Sequence, residues 1–140
     1  MAYQFRKQRF QRNQRILTPA QFKFVYANKQ WGNTKMLTFN ALYDEKLKHK
    51  ASKLGVTVSK KVSKLAVRRN HIKRLIREFY RHNQSQLKAT QVVITAKPAA
   101  KVASNEEINA ELQELWSKLM KWQRWNIKQN QKQKNREKNQ

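Results

Sequence analysis

The stretch AVRRNHIKRLIREFYR, residues 66–81, constrains this chain more than any other segment. At about 100° per residue, Leu65, Ile72, Leu75, Ile76 and Phe79 fall on one side of a helix. Asn70, Lys73, Arg74, Arg77 and Arg81 fall on the other. Such a helix must seat its apolar side on a surface that the rest of the chain supplies. Its cationic side is unfavourable in isolation, because like charges at i, i+4 repel. Only Glu78 interrupts it. The counterpart that makes sense of the stripe is a polyanion.

The whole chain points the same way. Its 140 residues carry 32 Lys+Arg against 8 Asp+Glu, a formal net charge of +24. Self-repulsion on that scale in so short a chain is usually resolved by nucleic acid, and next by an anionic membrane surface. The apolar share suffices for one modest core, so a single domain is expected over residues 16–125. The absence of cysteine removes disulfides, thiolate metal sites and thiol nucleophiles, and fits a reducing compartment. No apolar run is long enough to span a bilayer, and the N-terminal residues do not read as a secretory signal.

Residues 1–15 form a basic arm with Arg6, Lys7, Arg9, Arg12 and Arg15, and residues 126–140 form a low-complexity basic tail. Neither contains the apolar surface that ordering requires, so both are expected to lack fixed structure. Between them, Thr18-Pro19-Ala20-Gln21 reads as a capping box opening a helix that ends near Trp31-Gly32. Alternation predicts strands over 35–43 and around Leu54, Val56 and Val58. The basic helix follows, over about 65–83, then a strand around Val92-Val93-Ile94 that Pro98 stops. A second capping box, Ser104 to Glu107, opens a last helix with Ile108, Leu112, Leu115, Trp116 and Leu119 on its apolar stripe.

The residue types in the basic helix suit RNA. Arg offers a planar fork that grips phosphate and stacks on bases. Asn70 suits either a base edge or 2′-hydroxyl, or a role at the helix end. Lys60 and Lys61, where a strand meets the helix start, offer another phosphate contact.

At these residues the chain resembles a known family. Leu54-Gly55-Val56-Thr57-Val58-Ser59-Lys60-Lys61, followed by Arg69-Asn70-His71-Ile72-Lys73-Arg74-Leu75-Ile76-Arg77-Glu78, is similar to the signature of the bacterial ribonuclease P protein, whose core is the RNR motif. Arg15 to Tyr26 resembles that family's first helix, and Val92 to Lys97 its last strand, so the likeness spans roughly residues 12 to 120. His71 departs from the pattern, standing where the family usually has Arg.

The resemblance implies an α+β fold: a single-domain α/β sandwich with a central sheet of about four strands, three helices and a left-handed βαβ crossover. It implies a subunit of the ribonucleoprotein endonuclease that removes the 5′ leader of precursor tRNA. There the RNA subunit catalyses the cleavage with Mg2+ and the protein contributes no catalytic residue and no metal site. The RNA-binding set would be Lys60, Lys61, Arg68, Arg69, Asn70, Lys73, Arg74, Arg77 and Arg81. The leader cleft would hold Phe22 and Tyr26, with Phe39 added from its strand position. The partners implied are the catalytic RNA and precursor tRNA, with one protein monomer per RNA, in the cytoplasm and without a membrane. Phe22 and Tyr26 serve plain core packing equally well on sequence grounds.

No protein nuclease site is legible. His49, His71 and His82 lack a metal-ligand spacing, the acids concentrate in a loop and the last helix, and only Gly32 and Gly55 are available for any phosphate-cradling loop. The competing readings are a ribosomal or other structured-RNA protein without a processing role, a membrane-surface protein and, most distant, a self-sufficient nuclease.

Overall fold

The computed structural model describes residues 14–27 and 30–138. Helix α1, Pro19–Tyr26, opens on the expected capping box. The Gln21 amide donates to Thr18 Oγ1 at 3.2 Å, and the Thr18 amide donates to Gln21 Oε1 at 3.0 Å. The helix stops well short of Trp31-Gly32. Those residues instead form a short strand, β1, Trp31–Asn33, antiparallel to β2, Leu37–Tyr43. Gly32 lies opposite Phe39, and a Cβ there would sit 2.6 Å from Phe39 Cε1, so the ring needs the bare backbone.

After a 3-10 turn at Glu45–Leu47 come β3, Lys53–Thr57, and helix α2, Ala66–Asn83. Strand β4, Thr90–Ala96, and helix α3, Asn105–Lys138, complete the fold. The sheet order is β1-β2-β4-β3. Strand β2 runs antiparallel to both of its neighbours, β1 and β4, while β3 and β4 run parallel. A parallel pair needs a crossover, and α2 is that crossover. The result is the expected α+β architecture of three helices and a four-stranded mixed sheet.

Alternation along the strands divides the sheet into two faces. On one, Leu37, Phe39, Ala41, Leu54, Val56, Val92 and Ile94 meet the buried sides of α2 and α3 in the main core. On the other, Val93 and half-buried Leu42 pack beneath Ile16, Val25 and Phe22. Strand β4 is therefore covered on both faces, as its unbroken apolar run predicts.

The apolar side of α2 is Ile72, Ile76 and Tyr80, all fully buried, flanked by Leu75 and Phe79. Leu65 is 71% exposed, against expectation. It occupies the N-cap with extended backbone, so the helical wheel does not apply to it. Phe79 and Tyr80 both meet Trp116 of α3 edge to face, at 5.9 and 6.0 Å between ring centroids.

Helix α3 opens on the second expected box: the Glu107 amide donates to Ser104 Oγ and the Ser104 amide to Glu107 Oε1. It then continues to Lys138, so residues 126–138 are helical rather than without structure. Extending a helix already packed against a body requires no new nucleus, and Gln, Lys and Arg are good helix formers. No helix among the described residues is long and apolar enough to cross a membrane.

Candidate nucleic-acid interface

Asn70 and Arg74 are exposed on α2, and Lys73, Arg77 and Arg81 are half-buried on the same flank. The flank is turned toward β3, the edge strand. There the Ile16 amide donates to the Leu54 carbonyl at 2.9 Å, and Arg15 bridges Leu54 in parallel, extending the sheet by one short segment. This pairing carries Arg15, grouped by sequence with the arm, against Arg77. Burial first, and the charge of Arg15 second, pull the Arg77 guanidinium below its ordinary pKa. Arg77 remains charged at any physiological pH.

A hollow of about 270 Å³ is lined by Arg15, Arg74, Arg77, Glu78 and Arg81. Glu78 accepts from Arg81 Nη2 at 3.0 Å, and that hydrogen bond holds its carboxyl below the usual range. One carboxylate among four guanidinium groups leaves the hollow strongly positive. A second hollow, of about 190 Å³, is lined by Arg15, Ile16, Leu17, Phe22, Leu54, Val56 and Arg77. Arg15 and Arg77 line both. A cationic path therefore runs from the α2 flank around the edge of β3 to the aromatic side of α1.

On the α1 side, the Phe22 ring lies over Gly55, where a Cβ would stand 2.7 Å from Phe22 Cε1 and 3.0 Å from Ile16 Cβ. Phe22 thus packs on the sheet and lines the hollow at once. Tyr26 is 41% exposed. Beside α1 the sheet presents a half-buried polar row, Thr38, Thr95 and Thr57, in direct cross-strand register. Thr57 and Thr95 hydrogen-bond through their hydroxyls at 2.8 Å. Sequence reasoning missed this row, because strand alternation does not say which face a given set will occupy.

That ambiguity also misplaced Phe39. It is 2% exposed and sits in the main core, on the sheet face opposite α1. Its neighbours on β2, Thr38, Asn40 and Leu42, face α1 instead.

Two arginines of the expected RNA-binding set are directed at the protein's own backbone. Arg68 donates to the carbonyls of Lys101 and Ala100, both at 3.1 Å, and of Ala103 at 2.7 Å. It clamps α2 to the turn at Pro98–Val102 that leads into α3. Arg69 Nη1 donates to the carbonyls of Ser63 and Lys64, both at 2.9 Å, and so closes the loop before α2. His71 Nε2 lies 2.8 Å from Asn105 Oδ1 and ties α2 to the start of α3. Of the Arg69-Asn70-His71 triplet, Asn70 is the exposed member. Lys60 and Lys61 are exposed in the turn between β3 and α2.

Comparison with known proteins gives a single answer. A family model described as Ribonuclease P matches residues 10–120. The ribonuclease P protein component of Aliivibrio fischeri is 39% identical over 110 residues, which covers 79% of this chain and 92% of that protein. The corresponding component of Pseudoalteromonas atlantica is 38% identical over 112 residues, 80% of this chain and 91% of that one. The solved Staphylococcus aureus RNase P protein has a TM-score of 0.70 at 27% identity, over 74% of this chain and 93% of its own. By sequence match and by fold, the chain belongs to the ribonuclease P protein component family.

Proposed function

We propose that this chain, as the protein subunit of a ribonuclease P, divides its surface between two RNAs. Lys60, Lys61, Asn70, Lys73, Arg74, Arg77 and Arg81 meet the RNA subunit. Phe22 and Tyr26, with the threonine row beside them, receive the 5′ leader of precursor tRNA. The observation that carries this division is the pair of hollows sharing Arg15 and Arg77, which joins a cationic helix flank to an aromatic helix around one sheet edge.

The chemistry follows from the charges. Phosphates of the RNA subunit and of the substrate repel one another as they approach. Lysines and arginines at the junction neutralise them and release their counterions. Exposed aromatic rings add stacking on unpaired leader bases, worth about 1–3 kcal/mol per base. Bond cleavage is assigned to the RNA subunit with Mg2+. One protein per RNA is the expected stoichiometry.

The test is reconstitution. Protein, RNA subunit and precursor tRNA are mixed at low magnesium, where RNA alone is weakly active. The expected outcome is accumulation of mature 5′ ends that depends on protein. No stimulation would return the chain to the class of structured-RNA binders without a processing role. For the division itself, Tyr26→Ala is expected to lower affinity for precursor tRNA several-fold while affinity for the RNA subunit stays within about twofold. Equal loss on both would remove the leader cleft from the account.

A further inference from the structure

The family match ends at residue 120, but α3 runs on to Lys138. The added rod is ordered by its neighbours only at its base. Trp122 Nε1 donates to Gln30 Oε1 at 3.2 Å, and Gln123 bonds the Gln86 carbonyl and the Lys88 amide. Beyond Gln123, among the described residues, no side chain of α3 is hydrogen-bonded to the body of the domain. On the side away from these anchors lie Lys121, Arg124, Trp125, Lys128, Lys132 and Arg136, all exposed. They share a sector of about 120° on the helical wheel.

The pattern inside that sector differs from an ordinary solvated helix. Arg124, Lys128, Lys132 and Arg136 form an unbroken i, i+4 ladder of like charge, a repeat of about 6 Å along the axis. Such a ladder destabilises an isolated helix. Earlier in α3 the outer side mixes signs, as in the Lys118–Glu114 pair at 3.8 Å. In residues 121–138 the sole acid is Glu137, which falls outside the cationic sector. Within the ladder Trp125 is 51% exposed. A large ring set among cations is the combination that binds unpaired nucleotides, by stacking and phosphate neutralisation together.

From this we infer that residues 121–138 are a second RNA-binding element, and that its occupant is the RNA subunit of the same ribonucleoprotein. Helices α2 and α3 lie on one face of the sheet, and the proposed leader cleft lies on the other, under α1. The rod extends the helical layer by about 22 Å past Gln123. A large folded RNA in contact with α2 can also reach it. The inference rests on the reading of α2 as the main surface for that RNA, and its test keeps the two apart.

The full-length chain is compared with a five-site variant, K121Q/R124Q/K128Q/K132Q/R136Q, and with Trp125→Ala. Glutamine keeps helix propensity while removing charge, and far-UV circular dichroism checks that helix content is retained. Binding to the RNA subunit is measured across salt, with K73A/R74A/R77A on α2 alongside. The five-site variant should bind at least about tenfold more weakly, with a salt slope shallower by about 2. Trp125→Ala should weaken binding several-fold with the slope unchanged. If the α2 variant loses affinity and the five-site variant does not, the rod is not an RNA element and the α2 reading stands. If neither loses affinity, both fail. Loss confined to precursor tRNA, or to vesicles of anionic lipid, would likewise overturn the assignment.

Discussion

At the scale of single residues, the structure separates arginines that look identical in sequence. Arg68 stands in the same basic run as Arg74, yet its guanidinium satisfies three backbone carbonyls at the junction leading into α3. Hydrogen bonds from a charged donor contribute roughly 1.5–3 kcal/mol. Arg68→Ala should therefore lower unfolding free energy by about that amount in urea denaturation. The salt slope of RNA binding should stay unchanged, where a phosphate contact would reduce it by about one. Gly55 makes a second case. A methyl group there meets both Phe22 and the Cβ of Ile16, and Ile16 is held by its bond to Leu54. Overpacking of this kind costs about 1–3 kcal/mol. Gly55→Ala should lift α1 off the sheet, lower Tm, and weaken precursor binding more than RNA-subunit binding. Equal effects on the two RNAs would mean that Gly55 matters to the fold alone.

At the scale of elements, α2 is the decisive one, and its reading is directly testable. Lys73→Ala, Arg74→Ala and Arg77→Ala together should weaken RNA-subunit binding and flatten its salt slope by about 2 to 3, since each neutralised phosphate contributes close to one. An unchanged slope would mean that the flank is merely solvated. The existence of α2, its register and its two sides were legible in the sequence, because period 3.6 over eighteen residues leaves little ambiguity. The same held for both capping boxes, whose partners lie three residues apart in the chain. Features that depend on distant partners were not legible. Strand β1 has three residues and exists only through its pairing with β2. Phe39 falls on the wrong face in a sequence reading because alternation yields two sets of side chains without saying which helix each will meet. Arg15 joined the site through a single bridge to Leu54. The composition at the end of α3 offers no core and so predicts a loose tail, but a helix anchored at its base propagates without one.

At the scale of the whole molecule, charge opposes folding and drives binding. A formal charge of +24 on 140 residues means that the free protein folds against its own field. Internal relief is small: among the described residues Glu78 pairs with Arg81 and lies beside His82, and Glu114 pairs with Lys118, all exposed or partly so. Exposed pairs of this kind contribute about 0–1 kcal/mol each at most. Salt should therefore act on folding and on binding with opposite signs. Raising salt from about 0.01 M to 0.1 M shortens the screening length from about 30 Å to about 10 Å, comparable to the spacing of charges across the domain. The Tm of the free protein should rise by several degrees over that range, while affinity for the RNA subunit falls steeply as counterion release loses its drive. In the complex the order reverses, because RNA that binds only the folded chain stabilises it by mass action, and salt removes that ligand. Thermal melts of the free protein and of the complex across a salt series would read both trends. A Tm of the free protein that is flat or falls with salt would show that self-repulsion does not limit its stability, and that the charge excess acts on binding alone.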